Sequence, residues 1–220
     1  ATMDYVTIAT TGDATSFGSL ITARRHFGSV SNNTRGVFGG GYVAGNVSGM
    51  EYITIAVPSG GAVQGNDVTA RRWAGAVSSE TRGVFGGGYS SSTVLSMDYV
   101  NISSIGSTTF FGNLSVARVT FDGLSNGTRG MFFGEYSGAG NVIDYITIAT
   151  TGTATDFGDL TVPRQQVMGA SNASRGILAG GADGSASYTS IDYITISTPS
   201  NTTNFGDLII SKVEGGAVQG

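Results

Sequence analysis

The nonapeptide TRGVFGGGY stands at Thr34–Tyr42 and again, letter for letter, at Thr81–Tyr89. Two readings compete. Glycines after apolar residues can cradle a phosphate, provided that a helix starts directly behind them and points its N-terminus at the anion. The first copy runs on into VAGNVSGMEYITI, a Gly-containing loop and then a β-rich run. The helix that a phosphate site needs is missing, so the repetition is the informative feature.

Outward from this stretch, the dipeptide acid–Tyr recurs at Asp4-Tyr5, Glu51-Tyr52, Asp98-Tyr99, Asp144-Tyr145 and Asp192-Tyr193, in steps of 47, 47, 46 and 48 residues. After it come ATSFGSL, TTFFGNL, ATDFGDL or TNFGDL, then a base at Arg24, Arg71, Arg118, Arg164 or Lys212. TRG or SRG with its glycine block closes the unit, which is about 47 residues long. Four strands are expected per unit: a after the base (RRWAGAVSS), b (RGVFGGG), c (MDYVTIAT) and d (the FGDLTV block). The Ser, Asn, Thr and Gly between them suit tight turns. No segment carries an apolar stripe at helical spacing. Met50, Tyr52 and Thr54 face one way and Ile53 and Ile55 the other, so strand c carries bulk on both sides, as in a sheet covered on both faces. The sequence predicts an all-β protein of four-stranded antiparallel modules that bury their faces against one another.

This order of features resembles the kelch repeat: a base and a Gly-containing strand, an apolar strand ending in glycines, a variable loop, an acid with Tyr, then an aromatic. One full turn reads RRWAGAVSSETRGVFGGGYSSSTVLSMDYVNISSIGSTTFFGNL, and the match covers essentially the whole chain. The Trp usual in strand d is Phe here, as at Phe17, Phe157 and Phe205. The variant IATTGTATDFGDLTV is similar to kelch-like repeats of phage tail and fibre proteins, especially of phages that infect marine cyanobacteria. The resemblance implies a β-propeller of about five four-stranded blades, a single domain over residues 1–220 with units anchored at Tyr5, Tyr52, Tyr99, Tyr145 and Tyr193. The chain holds five segments of types a, c and d but four of type b. Closure is therefore expected to place strand a of Lys212–Gln219 innermost in one blade with strand c of Met3–Thr10. The strand-b slot of that blade is then empty or filled by another chain.

The 220 residues carry a net charge of −4, with 12% charged residues, 36 Gly and no Cys. The acidic balance argues against nucleic acid, whose phosphates call for clustered Lys and Arg. No apolar run approaches the roughly 18 residues of a spanning helix. No secretory leader is visible, and Ala1 reads as a processed or excised boundary. Without Cys there is no disulfide, thiolate ligand or thiol nucleophile. His26 is the only His, which excludes a His-rich metal centre, and neither metal nor cofactor is expected.

Nine of the eleven bases occupy two repeat positions: Arg24, Arg71, Arg118, Arg164 and Lys212 at one, Arg35, Arg82, Arg129 and Arg175 at the other. Only Arg25 and Arg72 stand outside them. The acids Asp4, Glu51, Asp98, Asp144 and Asp192 repeat as well. A charge used once per unit is expected to be scaffold, paired within or between blades. Arg35, Arg82, Arg129 and Arg175 are each expected to bond a carboxylate or a carbonyl. A site is to be sought where the repeat breaks, at His26, Trp73, Glu80, Asp122, Glu135 and Asp183. Core packing is the ordinary role of a Trp, and no Ser–His–acid set is expected around His26. Asp156, Asp159 and Asp207 read as turn caps rather than as paired catalytic carboxylates. The b–c loops vary most, and Tyr42, Tyr89, Tyr136 and Tyr188 place aromatics there. Tyr among Ser and Gly is the composition of a binding loop; the structural reading is a solvated hairpin with Tyr packed on the next blade.

These readings converge on a non-enzymatic structural or binding module of a virion fibre or other extracellular appendage. Its partners would be proteins or surface glycans of a host, and a homo-oligomer within the fibre is compatible with them. A secreted bacterial lectin-like adhesin and an enzyme with a central pocket stay open as alternatives.

Overall fold

The computed structural model describes residues 1–58, 61–119, 122–135 and 140–216. All regular elements among them are strands, and all pairings are antiparallel. A two-stranded sheet of β1 (Thr2–Tyr5) and β2 (Thr15–Ser19) opens the chain. Four four-stranded sheets follow, each laid down in chain order. Unit 1 holds β3 (Gly28–Ser31), β4 (Arg35–Gly39), β5 (Gly49–Thr54) and β6 (Val63–Asp67). Unit 2 holds β7 (Gly75–Ser78), β8 (Arg82–Gly86), β9 (Ser96–Asn101) and β10 (Thr109–Asn113). Unit 3 holds β11 (Asp122–Ser125), β12 (Arg129–Phe133), β13 (Val142–Thr147) and β14 (Thr155–Asp159). Unit 4 holds β15 (Met168–Ser171), β16 (Arg175–Ala179), β17 (Ser190–Thr195) and β18 (Thr203–Asp207). In each unit these are strands a to d in turn.

The repeated Phe-Gly is a β-bulge. Ile143 pairs with Gly158 and Asp144 with Asp156, so Phe157 is the extra residue of β14. The same irregularity sets Phe17, Phe111 and Phe205 aside in β2, β10 and β18. Each ring thereby meets the Tyr of its own strand c edge-on, with centroids 5.8 Å apart for Tyr145–Phe157 and 6.1 Å for Tyr5–Phe17, Tyr99–Phe111 and Tyr193–Phe205.

Successive sheets pack through their first strands, β3 on β7, β7 on β11 and β11 on β15. These four strands run in register: the Ser31 N–H donates to Ser78 Oγ and the Ser78 N–H to Ser125 Oγ, both at 3.4 Å. An apolar core fills each gap between units. Val30, Val37 and Met50 of unit 1 meet Phe85, Val100 and Ile102 of unit 2. Val77, Val84 and Met97 meet Phe132, Ile146 and Ile148 between units 2 and 3, and Leu124, Met131 and Ile143 meet Leu178, Ile194 and Ile196 between units 3 and 4. The glycine of TRG makes this approach possible. A Cβ on Gly83 would stand 2.3 Å from the Val30 side chain, and one on Gly130 2.4 Å from Val77, closer than carbon atoms come.

The expected fifth unit differs from the other four. Its c and d segments form β1 and β2 alone. Of the strand expected over Lys212–Gln219, residues 212–216 are not in a strand and 217–219 lie outside the described residues. Lys212 nevertheless follows the repeat: its carbonyl accepts the Gly181 N–H at 2.8 Å, as the Arg71 carbonyl accepts Gly41 and the Arg118 carbonyl accepts Gly88. No helix among the described residues is long and apolar enough to cross a membrane.

Candidate functional site

The repeated charges divide into two jobs. At the base position, Arg24–Glu51 (2.9 Å), Arg71–Asp98, Arg118–Asp144 (2.8 Å) and Arg164–Asp192 (2.8 Å) are buried ion pairs within a unit. Burial lowers the pKa of each of these arginines, and the paired acid works against that shift. Each acid also holds the segment that enters the unit. Glu51 accepts the Ile21 and Thr22 N–H groups, Asp98 the Thr69 hydroxyl, Asp144 the Ser115 N–H and Asp192 the Thr161 hydroxyl. Breaking such a pair strands a charge in the core, so these groups fix geometry and are poor candidates for chemistry. The fifth acid, Asp4, is exposed, as is Lys212.

The TRG arginines stack on the Tyr of the neighbouring strand c, Arg35 on Tyr52 (4.7 Å), Arg82 on Tyr99 (4.4 Å), Arg129 on Tyr145 (4.8 Å) and Arg175 on Tyr193 (4.5 Å). Three of them also bond the next unit: Arg35 donates to Ile102 O, Arg82 to Ala149 O at 2.7 Å and Arg129 to Ile196 O at 2.8 Å. Arg175 departs from the expected bonding. It is exposed and keeps the stack.

Two of the residues that break the repeat, His26 and Trp73, meet at one end of the first strands. His26 lies 4.9 Å from Trp73, whose backbone N–H donates to His26 O at 2.9 Å. The Arg72 guanidinium sits over Trp73 (4.4 Å), Tyr89 (4.7 Å) and Tyr42 (4.9 Å) and donates to Asn46 Oδ1 at 3.1 Å. Arg25 also lies over Tyr42, at 5.3 Å. Beside this cluster, a cavity of about 210 Å³ is lined by His26, Phe27, Trp73, Gln166, Val167 and Glu214. His26, Trp73, Gln166 and Glu214 occupy one repeat position, and all four adopt left-handed φ values, 60°, 55°, 57° and 55°. Gln166 Nε2 donates to Glu214 Oε1 at 2.6 Å. Burial and the charge of Arg25 lower the pKa of His26, so its ring is neutral at pH 7.

The other candidates are scattered. Tyr188 is not the counterpart of Tyr42 and Tyr89. Gln165 bridges Ala182 as Arg25 bridges Tyr42 and Arg72 bridges Tyr89, so Ala182 takes that position. The Tyr188 hydroxyl instead donates to Asp183 at 2.5 Å, which helps hold the Asp183 carboxyl down to about 2. Tyr136 lies outside the described residues. Glu80 is exposed in the β7–β8 turn at the opposite end of the strands. Glu135 lines a separate cavity with Arg164 and Asp183. Asp122 faces the neighbouring first strand and accepts the Gly169 N–H at 2.8 Å. Asp156 lies within β14 rather than in a turn and accepts the Gly158 N–H across the bulge at 2.9 Å, and Asp207 accepts the Thr189 hydroxyl. Asn46, Gln166 and Glu214 escaped the sequence reading: Gln166 and Glu214 were marked only by sharing the repeat position of His26 and Trp73, and nothing local marks Asn46. No family model matches the chain, and no curated protein is significantly similar to it.

Proposed function

We propose that the chain is a non-enzymatic binding module, with its units set around one axis as a kelch-like β-propeller and its ligand face at the rim of Arg25, His26, Arg72, Trp73, Tyr42 and Tyr89. One observation carries this reading: the Arg72 guanidinium stacks on Trp73, Tyr89 and Tyr42 beside a cavity that Trp73 and His26 line. The cavity lining offers aromatic faces beside the planar polar groups of His26, Gln166 and Glu214, the mixture that takes a sugar ring. Stacking faces and fixed hydrogen-bonding groups are the equipment of a binding surface, which favours binding over catalysis. By resemblance of the repeat, the carrier is a virion fibre or another extracellular appendage, and the ligand a glycan of a host surface.

The ligand is tested by binding to an array of surface oligosaccharides. Arg72→Gln and Tyr89→Ser are expected to weaken capture at least tenfold, and Glu80→Gln at the far end to leave it unchanged. An array without hits, or hits indifferent to Arg72 and Tyr89, overturns the reading. Ring geometry is tested separately with nitroxide labels at Asp4→Cys and Lys212→Cys in this Cys-free chain. A propeller gives one short, narrow distance, whereas an open arc of units gives a long one.

A further inference from the structure

The structure assigns a docking slot to the free edge of β1, and its occupant is one more strand of the repeat's own b type, Thr-Arg-Gly-apolar-apolar-Gly. The assignment rests on the propeller reading of the units.

In all four complete units strand c is flanked on one side by d and on the other by b. Among the described residues β1 pairs with β2 alone. The side chains that strand b and the adjoining units cover elsewhere are open here. Val6 and Ile8 are 57% and 70% exposed, while their counterparts Ile146, Ile148, Ile194 and Ile196 are 4% or less. Ile55, which faces the fifth unit from unit 1, is 42% exposed against 0% for Ile102. Phe205, which faces it from unit 4, is 56% exposed against 2% for Phe157. The backbone agrees. Cβ atoms on Gly112 and Gly158 would collide with the c–d turn of the next unit, at Gly152 O and Ser200 O, whereas one on Gly206 meets nothing within 4 Å. Arg175 keeps its stack on Tyr193 but stands exposed, without the next-unit carbonyl that its three counterparts bond among the described residues, and Asp4 stands in solvent.

The contacts that would fill this slot can be read from the filled ones. In unit 3, Arg129 pairs with Thr147, Gly130 with Ile146, Met131 with Tyr145 and Phe132 with Asp144. Transferred to β1, the incoming Arg falls opposite Thr7 and stacks on Tyr5, the Gly lies opposite Val6, and the two apolar residues lie opposite Tyr5 and Asp4. The incoming Arg then reaches the carbonyl of Ile55, as Arg35 reaches Ile102. Main-chain pairing supplies affinity, and the Arg-Gly-apolar order supplies register and selectivity. The C-terminal segment sits on unit 4 at Gly181, and β2 adjoins unit 1 through the Ala62 N–H on Ser19 O at 3.0 Å.

The probe is a synthetic peptide copying Glu80–Tyr89, ETRGVFGGGY. Added to the full chain, it is expected to bind one to one, raise Tm and slow amide exchange at Asp4 and Val6. Its Arg→Ala version should bind at least tenfold more weakly, and Val6→Pro in the protein should abolish binding, since Pro cannot donate to the new ladder. Val6→Thr, which keeps the backbone donor, should retain it. Absence of saturable binding at millimolar peptide, or binding unaffected by Val6→Pro, overturns the slot. Self-association through β1 without preference for the Arg-Gly sequence also overturns it. A short Asp4–Lys212 label distance with no peptide binding sinks the slot and leaves the propeller standing; a long distance sinks the propeller.

Discussion

Asp122 illustrates what one departure from the repeat does. Its counterparts in the other first strands are Gly28, Gly75 and Met168. A carboxylate there is poorly solvated, and desolvation raises its pKa to about 6 despite the N–H groups of Gly169 and Gly123. The folded state therefore holds this proton more tightly than the unfolded chain, whose Asp titrates near 3.9. Asp122 stabilises the fold more as pH falls through 6, and the gain levels off below the unfolded pKa. Because the side chain is only partly covered, the effect is about 1–2 kcal/mol rather than the full value of the shift. His26 pulls the other way, since its lowered pKa removes stability as pH falls below about 6.5. Comparing the protein with Asp122→Asn cancels His26. The change in Tm from pH 8 to pH 5 is expected to be more positive by roughly 3–6 °C for the parent than for the variant. An identical pH profile in both refutes it. The weight of Asp122 was legible as a break in a pattern; its partner was not, because Gly169 lies 47 residues away and donates a backbone N–H that sequence does not distinguish.

At the scale of the element, the four strands per unit were legible because alternation, turn residues and the repeat all agree. The Phe-Gly bulge was not, since an extra residue changes no composition and only the pairing reveals it. Loops of different length put Tyr188 at a similar place in sequence to Tyr42 and Tyr89 but at a different place in the ladder, where Ala182 stands instead. Unit 1 tests how well the element is understood. It carries Gly65 where the other units have the bulge Phe. The space is taken by Ile105 of unit 2, a buried residue at φ 46°, whose Cγ2 would lie 2.7 Å from a Cβ on Gly65. Ile105 thus stands in for the ring. Gly65→Phe alone should overpack the site and cost about 1–3 kcal/mol. Ile105→Thr alone should leave a void at a similar cost. The double variant restores the pairing between units 2 and 3, where Phe111 of unit 2 and Thr151 of unit 3 line one cavity, so the two changes should couple favourably by at least about 1 kcal/mol. Additive losses in a double-mutant cycle by denaturant unfolding refute the exchange.

At the scale of the molecule, stability in a chain of like units is a sum of intrinsic terms and neighbour interfaces. The three apolar interfaces here join units 1–2, 2–3 and 3–4, so units 2 and 3 are covered on both sides. Units 1 and 4 each show one open face, at Ile55 and Phe205. The β1–β2 pair is a two-stranded sheet, a form that is marginal in water without further cover. Local opening should therefore require least free energy at β1, more at β18 and most at β9 and β12. Native-state hydrogen exchange should rank the amides in that order, with β1 exchanging at least roughly a hundredfold faster than β12. Uniform protection across all units, lost in one cooperative step, would mean that the fifth unit is already whole and that the exposed Val6 and Ile8 find cover in solution. A gradient that flattens when the strand-b peptide is added identifies the uncovered faces as its cause. Closing a ring gives every unit two neighbours, and with two neighbours no unit opens alone.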